Sequence, residues 1–448
     1  MNSSASRTRY DYRDLEEKVR SAVIVLFISA LSWGQMVPPS PRVHSMTLEE
    51  IEREAAANNP EIRAAESRVA VLKARTPAAG ALDDPMVTYR NWGTPLEKPW
   101  DWNQAQHMLM YEQTLPGPGK RAARTEVANQ QAAESEAQID IVKREIDVRA
   151  RAAYYDLLRS ADEHRIHDQQ MELSKQAVES ATVKYTVGRV PQQDVLKAQI
   201  AMTRLADHLV MLDEEQESTR AELNTLMGRD PAAPLEVVGQ YGAPRTLPNL
   251  EELERVALEN RPELKAIGVT GDLAEAQLAL ARKAYTPDFT VAGGYMLMPG
   301  SSLFRNNYMA EVTMSLPWLN RRKHDSEIKE AQAASAVVQS ERNAQVSAAF
   351  LQIQQALIRA RSAERSLKLY RDTLRPQAEA ALKSAAAAYQ QDRTDFLNLI
   401  DSQNMLLDVE SSYFKAAANF DTRIAELERA IGAPLPVAST ATPIAEVK

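Results

Sequence analysis

The chain has 448 residues, 25 % of them charged, a net charge of −8 and only 6 % aromatics. An acidic balance without a basic stripe and interleaved aromatics excludes a nucleic-acid surface. The absence of cysteine excludes disulfides, thiolate metal sites and a lipid-modified N-terminal cysteine, and the wealth of Ala, Glu, Lys, Arg and Gln points to long helices.

The first pattern is an apolar run from Ala22 to Leu31, preceded by Lys18 and Arg20 and followed by the small residues around Ser32 and Gly34. It is too short to span a bilayer and reads as a secretory signal peptide over 1–34, with a linker over 35–46. The segment 48–62, LEEIEREAAANNPEI, then returns 202 residues later as 250–264, LEELERVALENRPEL, with nine of fifteen positions identical. Repeats set architecture. Here they divide the chain into a first copy over 47–228, a linker over 229–248, a second copy over 249–432 and a tail over 433–448.

Within each copy the order of signals is the same. Thr47 and Asn249 stand as N-caps before Leu-Glu-Glu starts, and Pro60 and Pro262 each open a second helix. After Pro77 and Pro287 the period changes. Short strands are predicted over 86–92 and 108–115, and over 289–296 and 309–316, so the strand pairs occupy about 86–115 and 288–316. Tyr111, Gln113 and Leu115 alternate with Met110, Glu112 and Thr114, while Glu311, Thr313 and Ser315 alternate with Ala310, Val312, Met314 and Leu316. One greasy and one wet side suit an outer-membrane barrel. Trp92, Trp100, Trp102, Tyr295, Tyr308 and Trp318 beside these segments fit interfacial girdles.

Long helices follow. From Lys120 to Val187 there is no proline or glycine, a run of about 100 Å as one helix; a return helix is expected over 191–228. The matching run from Arg321 to Gln391 holds one break, Pro376, and its return helix is expected over 395–432. Ile353, Ala356, Ala360, Ala363, Leu367, Tyr370 and Leu374 step by three and four, an alanine-rich heptad seam, and Ile139, Val142, Ile146, Ala153 and Leu157 form the stripe of the first copy.

The long runs end in related signatures, Tyr185-Thr-Val-Gly188-Arg-Val-Pro191-Gln-Gln-Asp194-Val-Leu-Lys-Ala-Gln199 and Tyr389-Gln-Gln-Asp392-Arg-Thr-Asp395-Phe-Leu-Asn398-Leu-Ile-Asp401-Ser-Gln403. Gly188 can end a helix in the left-handed region and Pro191 can open the next, so each copy closes in a helical hairpin tip. The doubled start, the Leu-Pro-Gly-Pro-Gly-Lys-Arg exit at 115–121, the Ala-Tyr-Tyr-Asp-Leu-Leu run at 153–158 and the doubled tip together resemble the TolC-type outer-membrane efflux family across 47–433. The exit segment is most similar to the heavy-metal branch.

The resemblance implies a mainly α fold with a small β part, in which long helices build a coiled-coil α-barrel in the periplasm. Four strands per subunit enter a shared twelve-stranded outer-membrane barrel. It implies a homotrimer in Gram-negative outer-membrane lipid, serving as the passive exit duct of a tripartite pump with a periplasmic adaptor and an inner-membrane resistance–nodulation–division transporter. The strands require something of this kind, since four cannot close a barrel and three copies supply twelve. Carried over by position, Asp194 is the expected hydrogen-bond partner of Tyr389. The family's gate arginine falls on Thr394, with Arg393 beside it as the substitute. The two pore-ring positions fall on Asn398 and Asp401, so a trimer has one acidic ring. The exposed turns Val187, Gly188, Arg189 and Val190, and Gln391, Asp392, Arg393 and Thr394, are the expected adaptor contacts.

Other chemistry is thin. Pro116 to Lys120 lacks the spacing and the Ser or Thr of a phosphate loop and reads as a strand-to-helix turn. His164 and His167, three apart on a helix, have no third ligand and read as a solvated face. Methionines 86, 108, 110, 296, 298, 309 and 314 gather in the strand region; they suggest a soft-metal path less plainly than lipid-facing or packing side chains. No nucleophile–base set or acid pair stands out, so no enzyme and no cofactor are expected. The rival readings are a drug or solvent duct of the same fold and, from another class, a structural coiled-coil scaffold.

Overall fold

A capping box opens the first helix of the computed structural model, which describes residues 44–94, 96–303, 305–391, 393–394 and 396–435. The expected export signal, the linker up to residue 43, the tail beyond 435 and Asp392 lie outside the described residues. Thr47 accepts from the Glu50 N–H while Glu50 accepts from the Thr47 N–H at 2.9 Å, which satisfies two orphan donors of α1 (Leu48–Asn58). Asn59 then caps α2 (Pro60–Ala79) by accepting from the Glu61 and Ile62 N–H groups. The second copy begins likewise, with Asn249 accepting from the Glu252 N–H at 2.8 Å ahead of α5 (Leu250–Asn260) and then α6 (Pro262–Arg282).

The described residues fall into two compact units, one comprising 44–45 and 234–236, the other the remainder. In the first, residues of β1 (His44–Met46) and β4 (Leu235–Val237) form a two-stranded sheet. The second unit is mainly helical. Its long elements are α3 (Lys120–Thr186), α4 (Gln192–Leu226), α7 (Arg321–Leu369), α8 (Arg375–Gln390) and α9 (Phe396–Ile431). Its four-stranded antiparallel sheet holds β2 (Met86–Trp92), β3 (Gln106–Leu115), β5 (Phe289–Leu297) and β6 (Asn306–Met314), in the order β2-β3-β5-β6. Among the described residues no helix is long and apolar enough to cross a membrane.

Ile353, Ala356, Ala360, Ala363 and Leu367 of α7 are buried against Phe420, Ile424, Leu427 and Ile431 of α9 and Leu253 and Ala257 of α5. Each large side chain buried there contributes about 1.5–3 kcal/mol. The seam predicted to run on through Tyr370 and Leu374 stops at Leu367, because residues Tyr370–Leu374 form a π turn with no buried residue. Pro376 explains the irregularity. It has no N–H to donate and its ring crowds the carbonyl four residues back; the wider π turn relieves that crowding and rotates the seam off the core. The expected break at Pro376 is therefore a π turn displaced toward the N-terminus, with Pro376 itself inside the first turn of α8.

Candidate functional site

Three places carry the chemistry of the second unit: the sheet, the hairpin tips and a charged cleft between helices. In the sheet, strand register assigns every residue to a face. Thr88, Arg90, Met108, Met110, Glu112, Thr114, Thr290, Met296, Asn307, Met309, Glu311 and Thr313 share one side. Val87, Tyr89, Leu109, Tyr111, Val291, Tyr295, Tyr308 and Val312 share the other, and all eight are exposed, Tyr308 to 89 %. The carboxylates and the arginine of the four strands, Arg90, Glu112 and Glu311, are thus on the first face, and the second is a largely apolar surface that a soluble protein would cover. The one imidazole on that apolar face, His107, is buried. Its Nε2–H donates to the Trp102 carbonyl at 3.1 Å and its Nδ1 accepts from the Tyr89 hydroxyl at 2.7 Å, with the Trp102 ring stacked over it at 3.5 Å. A polar group so satisfied and covered tolerates an apolar exterior.

An ion pair ties the sheet to the start of a long helix. Lys120 Nζ donates to both Asp288 oxygens at 2.8 Å, and the Gly117 N–H donates to Asp288 at 2.7 Å. The segment resembling a phosphate loop is thus a strand-to-helix turn clamped to the start of β5.

At the first tip Gly188 adopts a φ of +73°, where a side chain would be strained. The Arg189 N–H donates to the Lys184 carbonyl at 2.8 Å and the Gly188 N–H to the Tyr185 carbonyl at 2.9 Å, a complete Schellman stop. The second tip repeats the longer bond, from the Arg393 N–H to the Ala388 carbonyl at 2.9 Å. Val187, Gly188, Arg189, Gln391 and Arg393 are exposed, and Val190 and Thr394 half-buried. Tyr389 packs with Val178, Val195 and Ile400 around buried Ala181 and Ala198, so the two hairpins meet there. Its hydroxyl accepts from the Lys184 ammonium, which lies 3.8 Å over the Tyr389 ring. Lys184, which the sequence did not single out, is thus a partner of Tyr389; half-buried Asp194, the partner expected from the resemblance, sits in the first turn of α4, favoured by the helix dipole. Asn398 donates to the Thr394 hydroxyl at 2.9 Å, and Asp401 is exposed on α9.

Further along the helices, a cleft of about 870 Å³ opens between α3, α4 and α9. Arg159, 8 % exposed, pairs with Glu163 at 2.8 Å and with Glu215 of α4, while Lys415 of α9 approaches Glu163 to 3.7 Å. Burial disfavours the Arg159 charge, but hydrogen bonds and attraction from Glu163 and Glu215 outweigh it and raise its pKa. Of the two histidines expected on a solvated face, His167 is buried and His164 is half-buried beside exposed carboxylates. His167 is buried with its Nδ1–H on the Glu163 carbonyl at 2.8 Å, because its side of α3 faces α4 and His208. His164 lies between Asp168 at 3.0 Å and Asp213 at 3.2 Å. Among the described residues no group of three His, Cys, Asp or Glu is placed to hold a metal ion. Isolated charges in an apolar stripe were the available signal for this network, since Arg159 and Glu163 stand one turn apart beside Leu157, Leu158 and Ile166.

Comparison with known proteins follows the same lines. Residues 52–229 and 253–433 match the family model for outer membrane efflux proteins. The chain is 22 % identical over 316 residues to the cobalt-zinc-cadmium resistance protein CzcC of Cupriavidus metallidurans, covering 70 % of this chain and 74 % of that one. It is 20 % identical over 317 residues to the outer membrane protein TolC of Vibrio cholerae, covering 68 % and 72 %. The structure is similar to that of CusC with a TM-score of 0.73 at 14 % identity, over 90 % of this chain and 96 % of that one.

Proposed function

Because this chain belongs to the outer membrane efflux protein family, we propose that it is the exit duct of a tripartite efflux pump, carrying substrate passively from the periplasm to the exterior. The two-faced sheet carries this reading. Its exposed valines, leucines and tyrosines suit lipid, and its threonines, Arg90, Glu112 and Glu311 suit an aqueous lumen. The edge strands β2 and β6 each leave one side unpaired, which a bilayer does not tolerate. Three copies placed edge to edge supply twelve strands and close the barrel.

In that homotrimer the long helices extend into the periplasm. The turns at 187–190 and 391–394 meet an adaptor, which links the duct to a resistance–nodulation–division transporter. The entrance narrows at the tips, where the Lys184–Tyr389 contact ties one hairpin to the other and Asp401 contributes one acidic ring per trimer. Likeness to a cobalt-zinc-cadmium resistance protein favours heavy-metal cations as the cargo.

Single-channel conductance in planar bilayers tests the reading. Wild type is expected to show a small conductance blocked by divalent cations, and Asp401→Ala to lose much of that block. Folded protein that forms no channel would overturn the duct; a channel whose block survives the substitution would remove Asp401 from the constriction.

A further inference from the structure

Six of the fifteen methionines lie in the four long strands, and register divides them unequally. Met314 is on the apolar face, while Met86, Met108, Met110, Met296 and Met309 are on the face that carries all the strand charges. Of the plain expectation of lipid-facing or packing side chains, the packing part describes four of these five. Four of them converge. Met108 and Met296 are directly opposed across β3 and β5, and Met110 and Met309 flank Gly294 from either side. The glycine makes the approach possible, since a Cβ on Gly294 would lie 3.0 Å from Met110 Cγ. Met108 and Met110 are buried in a cluster with Ala292, against which Met296 and Met309 pack.

We infer that this cluster is a binding site for a soft monovalent cation of the Cu(I) or Ag(I) class, set in the wall of the lumen. Thioethers are neutral, polarizable donors that select such ions, whereas Zn(II) and Co(II) favour imidazole, carboxylate and thiolate sets; Glu112 and Glu311 flank Ala292 beside the cluster, but among the described residues no group of three such ligands is placed to hold a metal. A lumen wall needs no apolar patch for its own sake, and leucine would fill the same volume. Four thioether side chains packed together on three adjacent strands offer more than the two or three donors a soft ion takes, on a sheet that limits rearrangement. The ion would pause there on its way out, held by groups weak enough to release it. The inference rests on the reading that this face lines the duct, and it narrows the cargo to thiophilic cations.

Ag(I) binding to the purified, detergent-solubilised full chain, followed by titration calorimetry, tests it without any transport assay. Wild type is expected to bind about one ion per protomer, and Met108→Leu/Met296→Leu to weaken that site by more than about tenfold. Leucine conserves volume, so the variant is expected to fold, and an unchanged conductance establishes that it has. Met211→Leu/Met405→Leu, away from the sheet, is the control and should bind as wild type does. Equal Ag(I) binding by wild type and the sheet variant, or none by wild type, overturns the site. If conductance stays normal in that case, the duct stands and only the metal site falls; Ag(I) bound without any conductance removes the duct instead.

Discussion

The two long hairpins reach similar tips by different means. In the first, α3 runs unbroken for 67 residues and meets α4 across a buried charge network, Arg159 with Glu163 and Glu215. In the second, α7 gives way to a π turn and its contact with α9 is apolar, from Ile353 and Leu357 to Phe420 and Leu427. Apolar packing is directionless, so an irregular helix can still be held by it. A buried ion pair is strict about geometry and weak as net stabilisation, because desolvation offsets most of the attraction. The first hairpin therefore owes a defined register to the network and its stability to buried side chains such as Leu157, Leu205 and Leu212, and the second gains stability from apolar contact with less demand on register.

Substitutions can break that contrast. Phe420→Ala should cost the most, about 3–5 kcal/mol, by leaving a cavity in the apolar contact; chemical unfolding of the solubilised protein measures it, and a loss below about 1 kcal/mol would mean that Phe420 does not anchor α9 to α7. Arg159→Ala should cost about 3 kcal/mol, the low end for a broken buried pair, since Glu163 keeps its burial and loses its principal partner while Lys415 stays 3.7 Å away. Arg159→Met together with Glu163→Leu should recover most of that loss if the network serves register rather than stability.

The smallest effect sharpens the comparison through pH. Asp421 of α9 is pushed up to about 6 by burial, against the opposing influence of the Gly242 N–H, which donates to it at 2.9 Å, and of Arg245. The folded state thus prefers the protonated carboxyl. Its stabilising contribution is complete below the ordinary carboxylate value and is lost as pH rises through about 6. Moving from pH 7 to pH 5 should therefore add about 1 kcal/mol of stability through this group, and Asp421→Asn should abolish that slope in unfolding curves taken at the two pH values.

Much of the fold was legible from local rules. The mainly α class with four strands came from composition, the long glycine-free runs and the change to a period of two. Thr47 and Asn249 were readable as caps because capping depends on residues within one turn. The site was less legible. Lys184 over Tyr389 joins residues 205 apart, and no local spacing announces such a pair. The methionines were visible as a group, but their face was not, because a shift of one residue in register reverses it.

What the sequence determined alone is whatever neighbours along the chain decide: where helices start and stop, which strands have two faces, and that Gly188 turns the first tip. Tertiary structure decided the rest. It buried His167, moved the end of the second seam from Leu374 to Leu367, and turned four methionine side chains toward one another across Gly294. Such outcomes depend on which elements meet and in what register, and that is settled by the energy of the whole packed arrangement rather than by any segment within it.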